Sequence, residues 1–241
     1  MHKLLYLIVI LLSFSFYKTV AQVHISALEM NSGEIRSIYH QKIIFNEKYR
    51  SSLDAGSYLG IGNNVWTRWG IRGGLIRIVN SRTSVDVGFM YNHVTFDHKI
   101  SQEFRPHQSV MVNYPTLANS AIQHRLRLEE RFFIDDINEE RTTRSRIRYR
   151  INNSGTLKSK PVAPKSFFYR LSAEWNFNIY NEIEGAFLLR GRYGIGYGYQ
   201  FNSRYTADAT YYFQHDAQQD NNHHNIIHIF QITLRHSIRL N

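Results

Sequence analysis

The sequence of 241 residues contains no cysteine, so no disulfide bond can stabilise it. Small secreted domains often depend on disulfides. A closed β-barrel does not, because closure pairs every strand edge. After residue 21 the sequence also lacks any run of roughly 18 apolar residues, which excludes a helical membrane span. It shows no good amphipathic helix either, so these absences together favour an all-β chain.

Acidic residues are also scarce. The chain has 29 Lys and Arg against 19 Asp and Glu, a net charge of +10, and removal of Lys3 and Lys18 with a leader leaves +8. Such an excess suits nucleic acid, anionic lipid or an anionic solute. An export signal argues against nucleic acid. We therefore expect lipid and small anionic solutes as the partners of this chain.

Residues 1–21 have the three parts of a signal peptide. Residues 1–3 are basic, residues 4–17 are almost wholly apolar, and the small residues Thr19 and Ala21 form a cleavage site of the A-x-A type. The apolar run is short for a membrane helix, and an uncleaved anchor is the alternative interpretation. No cysteine follows the site, which excludes lipoprotein processing. We predict a signal peptide at 1–21 and one domain at 22–241.

The clearest pattern lies between residues 124 and 150, where two runs flank an acidic link at 135–140. Charged residues alternate with apolar ones in both runs. On one face lie Arg125, Arg127, Glu129 and Arg131, then Arg144, Arg146, Arg148 and Arg150; on the other lie Leu126, Leu128 and Phe132, then Ile147, Tyr149 and Ile151. A period of two is that of a β-strand with one ionic and one apolar face. The pattern therefore predicts a β-hairpin.

Similar alternation recurs in short runs along the rest of the chain, beginning at residues 23–30. Turn residues separate the runs, and the turn-rich or polar segments 152–165 and 214–225 are predicted as loops. The count is about 12 runs with no domain break. We predict an all-β, antiparallel transmembrane β-barrel of about 10–12 strands, with 12 favoured.

The ionic face favours a membrane barrel over a secreted soluble β-protein. The run from Arg144 to Arg150 spans about 20 Å at about 3.3 Å per residue, close to the roughly 25 Å apolar band of outer-membrane barrels. An arginine facing lipid near the midplane costs roughly 2–4 kcal/mol, so this face must meet a lumen or water. Arginine suits a packed ionic interior because its planar fork pairs with carboxylates. We expect an outer-membrane location, a periplasmic N-terminus, and contact with the barrel-assembly machinery during insertion.

Three motifs appear in order: residues 103–108 (EFRPHQ), 124–132 (HRLRLEERF) and 146–150 (RIRYR). The chain resembles a family of uncharacterised exported bacterial proteins, classed as a domain of unknown function, with E-x-R-P-x-Q, H-R-x-R-x-E-Q-R-F and R-x-R-Y-R segments. Glu130 stands where that family usually has glutamine. The resemblance implies an outer-membrane β-barrel of Gram-negative bacteria. It implies no established activity or ligand.

The predicted lumen is the candidate functional site. Charged residues on the ionic faces are its candidate lining: Glu103, Arg105, Arg125, Arg127, Glu129, Arg131, Arg146, Arg148, Arg150, Arg170, Glu174, Arg190 and Arg192. Guanidinium groups bind phosphate and carboxylate bidentately, and rings of arginine favour anions in pores. One interpretation is a small anion-preferring, porin-like pore or ligand-binding barrel. The alternative is a structural or assembly barrel in which arginine and glutamate pair across strands and close the lumen.

Two further patterns are weaker indications of a functional site. His107-Gln-Ser109 resembles the His-x-Ser pair of outer-membrane phospholipase A, but Val110 and Met111 replace the Asn and Gly that usually follow, and no orienting group is evident. Residues 215–228 are rich in His and Asp, but their spacing is loose for a metal site, and a solvated loop accounts for them. We therefore predict no enzyme, no metal and no cofactor.

Overall fold

The computed structural model describes residues 32–62, 65–97, 99–114, 120–135, 141–156, 164–179, 188–217 and 224–240. These ranges form β-strands, in agreement with the all-β prediction. The strands are β1 Ser32–Ile44, β2 Tyr49–Gly62, β3 Trp66–Ile78, β4 Thr83–Phe96, β5 Lys99–Tyr114, β6 Ser120–Asp135, β7 Arg141–Gly155, β8 Ser166–Asn178, β9 Leu188–Gln200, β10 Tyr205–Ala217 and β11 His224–Arg239. Within the described ranges, no helix is long and apolar enough to cross a membrane.

The strands close into one barrel, and each pairs antiparallel with its neighbour in the chain. Closure itself is a parallel pair, in which β1 and β11 run side by side from Ser32 opposite Ile227 to Ile44 opposite Arg239. The described residues thus form eleven strands, not the favoured twelve. An odd number makes the first and last strands of an up-and-down barrel run in the same direction, so they can only pair parallel. The predicted strand at 23–30 lies outside the described residues.

Burial in this barrel is the reverse of that in a soluble protein. Among the described residues, only Phe168 and Ile229 are buried apolar side chains, whereas twenty polar or charged side chains are buried. Thirty large hydrophobic side chains are exposed, Leu75 and Ile232 by more than 60% of their area. The alternation therefore points its ionic face into the lumen and its apolar face outward, because successive side chains of a strand leave on opposite sides.

Two predicted loops are shorter than the sequence suggested. β7 continues through residues 152–155, where Asn152 lies opposite Ser172 and Gly155 opposite Tyr169. β10 extends to Ala217 and β11 begins at His224. Asn, Ser and Gly are typical of turns, but pairing with a neighbouring strand satisfies their backbone groups equally well. Strand pairing therefore overrides the local composition at both places.

The odd-numbered strands all run in one direction, so the connections after β1, β3 and β9 lie at the same end of the barrel. We call this the turn end. Three of the connections at this end are four-residue turns, at 45–48, 79–82 and 201–204, and the connections after β5 and β7 lie at the same end. The opposite end holds the start of β1 beside the start of β11.

Candidate functional site in an arginine-rich lumen

Ion pairs fill the inside of the barrel. Among the described residues, fourteen arginines and eight Asp or Glu side chains form ion pairs there, so arginines exceed carboxylates by six. The arginines are 36, 68, 72, 105, 125, 127, 131, 146, 148, 150, 170, 190, 192 and 235; the carboxylates are Glu34, Asp54, Asp86, Glu103, Glu129, Glu174, Asp208 and Asp216. All thirteen candidate residues from the sequence belong to this set.

Glu129 on β6 is an almost fully enclosed carboxylate, with a side chain 1% exposed. It accepts hydrogen bonds from Arg146 Nε and Arg148 Nη1, each at 2.7 Å. Arg105 and Arg127 approach it at 3.7 and 3.8 Å. β6 pairs with β7 so that Glu129 lies directly opposite Arg146, and this register brings the two charges together. Four guanidinium groups thus surround one buried carboxylate.

Glu174 on β8 forms the second centre, with a side chain 4% exposed. Arg148 donates to it from Nη2 at 2.7 Å, and Arg125 donates from Nη2 at 3.3 Å. Arg150 and Arg192 lie 3.8 Å away. Because Arg148 binds both buried carboxylates, it links the two centres along one wall of the barrel.

Glu103 on β5 is the third centre. It accepts hydrogen bonds from Arg105 Nη2 and Arg131 Nε at 2.6 Å, and from Asn92 Nδ2 at 2.9 Å. The last two candidates lie elsewhere on the wall. Arg190 pairs with Asp216 at 2.6 Å, and Arg170 approaches Asp208 at 3.7 Å. The sequence therefore placed these residues on the correct face but did not identify their partners.

The opposite wall carries ionic residues that the sequence analysis did not select. Arg36 pairs with Glu34 at 2.7 Å, and Arg68 approaches the same carboxylate at 3.3 Å. Arg72 and His40 both bind Asp54, and Arg235 binds Asp208 at 2.5 Å. The alternation of β1, β2, β3, β10 and β11 puts these residues on the inward face, so the same period-two signal could have found them.

A cavity of about 690 Å³ runs inside the barrel between these walls. That volume is in the range of small-molecule sites. Its lining includes Arg36, Arg72, Arg125, Arg150 and Arg192. The Nε atoms of Arg125 and Arg150 are buried without a hydrogen-bond partner in the described part of the chain. An excess of guanidinium groups with unused donors is the chemistry that anion binding requires.

The His107–Ser109 pair also faces the lumen. His107 Nε2 lies 3.3 Å from Asp86, and Arg127 donates from Nε to Ser109 Oγ at 2.8 Å. Arg127 also reaches Asp86 at 3.3 Å. The serine oxygen is therefore engaged with a guanidinium group inside an ionic network.

The His- and Asp-rich segment 215–228, which the sequence analysis interprets as a solvated loop and not a metal site, lies partly outside the described residues, which omit 218–223. His215 and Asp216 lie in β10, and His228 lies in β11 with its Nδ1 2.6 Å from the Tyr211 hydroxyl. Within the described ranges, no group of three or more His, Cys, Asp or Glu could hold a metal ion.

These features define a closed, eleven-stranded β-barrel with an ionic lumen and an apolar exterior. Residues 37–225 match the family described as protein of unknown function (DUF2490), and the chain belongs to that family. This confirms the resemblance to a family classed as a domain of unknown function. A comparison with curated protein sequences finds no match.

Proposed function

We propose that the chain is exported, inserts into the outer membrane as a β-barrel, and admits or binds small anions in its lumen. The signal-peptide pattern at 1–21 supports export. The exterior supports insertion, because the outward-facing charges on the described strands are only Arg77, Glu130 and Arg141. Arg77 and Arg141 lie near strand ends, so the middle of the exterior carries a single charge.

The observation that carries the anion preference is the excess of basic side chains around the 690 Å³ cavity: among the described residues, sixteen arginines and Lys42 line it, against the four carboxylates of Glu34, Asp54, Asp86 and Glu174. A surplus of positive charge in a partly enclosed space attracts anions and repels cations. The partners that follow are small carboxylates or phosphates, together with lipid around the barrel and the assembly machinery during insertion. No catalytic step is part of this proposal.

The test is ion selectivity of the refolded barrel in a planar bilayer under a salt gradient. We expect discrete channel openings and a reversal potential whose sign shows that anions permeate more readily than cations. The variant Arg150→Gln/Arg192→Gln removes two cavity-lining charges that contact Glu174 only at 3.8 Å, and should move the reversal potential towards zero. The control Arg77→Gln/Arg141→Gln removes two outward charges and should leave it unchanged. Equal shifts in both variants, or cation preference in the wild type, would contradict the proposal.

A closed structural barrel is the second candidate, and Arg148 is the observation that favours it. Its guanidinium group joins Glu129 on β6 to Glu174 on β8 and occupies part of the lumen. A folded barrel without openings, which also gives no calorimetric heat with inorganic phosphate or citrate, would establish this candidate and exclude the anion lumen.

A further inference from the structure

Three turns at the turn end have the same sequence pattern: an apolar residue, Asn, a variable residue and a basic residue. They are 45–48 (FNEK), 79–82 (VNSR) and 201–204 (FNSR). In each, the Asn Oδ1 accepts two backbone N–H hydrogen bonds at 2.8–2.9 Å, one from the basic residue and one from the residue after it. This is an Asx turn, which fixes the loop backbone. The three basic residues therefore occupy equivalent positions.

The backbone of each basic residue is also tied to the next strand. The carbonyl oxygen of Lys48 accepts from Ile78 N–H at 2.7 Å. The carbonyl of Arg82 accepts from Asn113 N–H, and that of Arg204 accepts from Ser237 N–H, each at 2.8 Å. The basic side chains start from a fixed rim, so their spacing is set by the barrel.

These turns form a continuous basic arc on the rim. Going round the barrel, Arg204 follows β9, exposed Arg239 ends β11, Lys48 follows β1 and Arg82 follows β3. Among the described residues of these turns, Glu47 is the one carboxylate. The arc therefore carries a concentrated positive charge.

Apolar side chains lie immediately beside this charge. Phe45, Val79 and Phe201, the first residues of the three turns, are 41, 56 and 49% exposed. Exposed Tyr49 and Tyr205 follow the turns. Aromatic and apolar side chains next to basic ones are typical of the boundary between hydrocarbon and headgroups.

We propose that this basic arc, formed by Lys48, Arg82, Arg204 and Arg239, binds the phosphate groups of anionic membrane lipids. The proposal rests on the insertion of the barrel into a membrane. Arg82 also lines the lumen cavity, so the arc is tested at Lys48 and Arg204, which are not among the described residues that line it. Each basic side chain meets one headgroup phosphate, while the neighbouring apolar residue contacts the upper part of an acyl chain. The arc thereby anchors the turn end in a leaflet that contains anionic lipid.

Spacing favours lipid over a single free anion. The turns at 45–48 and 79–82 are two strands apart and those at 201–204 and 45–48 are three strands apart, so the whole arc spans about 24 Å at roughly 4.8 Å per strand. One phosphate ion cannot span the whole arc and could meet only the basic residues nearest to it. A lipid surface presents many phosphates side by side and can engage the whole arc at once, with about 1 kcal/mol for each basic residue near an anionic surface.

The experiment measures lipid binding to the refolded full barrel in an uncharged detergent by native mass spectrometry, with equal amounts of phosphatidylglycerol and phosphatidylcholine. We expect the wild type to retain phosphatidylglycerol preferentially. The double variant Lys48→Gln/Arg204→Gln should raise the apparent dissociation constant for phosphatidylglycerol on the order of 30-fold, which corresponds to the loss of about 1 kcal/mol for each of the two basic residues. The matched control Lys99→Gln/Arg141→Gln removes two exposed charges at the opposite end and should retain wild-type binding. A heat-dependent gel shift establishes that every variant is folded.

Equal retention of the two lipids by the wild type, or equal loss in both double variants, would overturn the proposal. Displacement of the lipid by inorganic phosphate at matching concentration would assign the arc to free phosphate instead. A barrel that shows no openings in the bilayer assay and no heat with phosphate or citrate, but still selects phosphatidylglycerol, would exclude the anion lumen and leave the basic arc supported. A chain that folds in water without detergent would overturn the membrane insertion on which both proposals depend.

Discussion

Arg148 on β7 donates from Nη1 to Glu129 on β6 at 2.7 Å, and the glutamate side chain is 1% exposed. The same guanidinium group donates from Nη2 to Glu174 at 2.7 Å. Arg148 therefore holds two buried carboxylates with one side chain. Its loss leaves both of them short of a donor.

We predict that Arg148→Met lowers the free energy of unfolding of the barrel by about 3–5 kcal/mol. The substitution deletes one short charge-assisted hydrogen bond to each of two buried carboxylates, and such a bond contributes roughly 1.5–3 kcal/mol. Urea titration of the refolded barrel measures the change. The matched variant Arg150→Met removes an arginine from the same face of β7, but its contact with Glu174 is 3.8 Å and its side chain is 32% exposed. It should have a clearly smaller effect, and equal effects would contradict the bridging role.

Neighbouring strands approach closely at Gly88, where a Cβ atom has no room. An added Cβ would overlap the carbonyl oxygen of Gly73 and lie 2.8 Å from the His107 ring. We predict that Gly88→Ala destabilises the barrel by about 1–3 kcal/mol through overpacking. At Gly73, on the paired strand but facing outward, no atom lies within 4 Å of an added Cβ. Gly73→Ala should change stability by less than about 0.5 kcal/mol. Tolerance of alanine at both positions in urea titrations would refute the close approach.

Glu130 is an outward-facing carboxylate in an otherwise apolar band. It lies opposite Pro106, where the β5–β6 ladder is interrupted between the pairs Phe104–Phe132 and His107–Glu129. If lipid surrounds this face, Glu130→Leu should raise the free energy of unfolding in vesicles by about 1 kcal/mol, since charge on the lipid face is destabilising. In detergent micelles the gain should be smaller.

The control for this prediction is Gln108→Leu, which removes an uncharged, exposed polar side chain from the same face. It should give a smaller gain than Glu130→Leu in vesicles. Destabilisation by Glu130→Leu in vesicles would instead indicate that the carboxylate binds a partner within the membrane.

The sequence predicted more of the fold than of the site. The alternation in 124–150 predicted both strands of the β6–β7 hairpin and the inward face of Arg125, Arg127 and Arg148, because side-chain direction along a strand has a fixed period. The loops at 152–165 and 214–225 were predicted too long, because turn-forming composition does not reveal which backbone groups a neighbouring strand will pair.

Ion-pair partners on neighbouring strands depend on the strand register, which cannot be deduced from the sequence alone. Glu129 lies opposite Arg146 only because β6 and β7 pair as they do, and a shift of one residue would turn these side chains outward. Contacts with the next strand but one, such as Arg125 with Glu174, depend in addition on barrel curvature. The residues on β1, β2 and β3 were missed because each of these strands carries fewer charges on its inward face than a strand of the hairpin does.

The sequence by itself determined the strands, their two faces and the excess of arginine, since these follow from local periodicity and composition. Only the tertiary structure decided that eleven strands close through a parallel β1–β11 pair. Only closure decided which carboxylate each arginine meets and that three similar turns share one rim. These are relations between residues far apart in the chain, and they exist only when closure fixes the distance between strands.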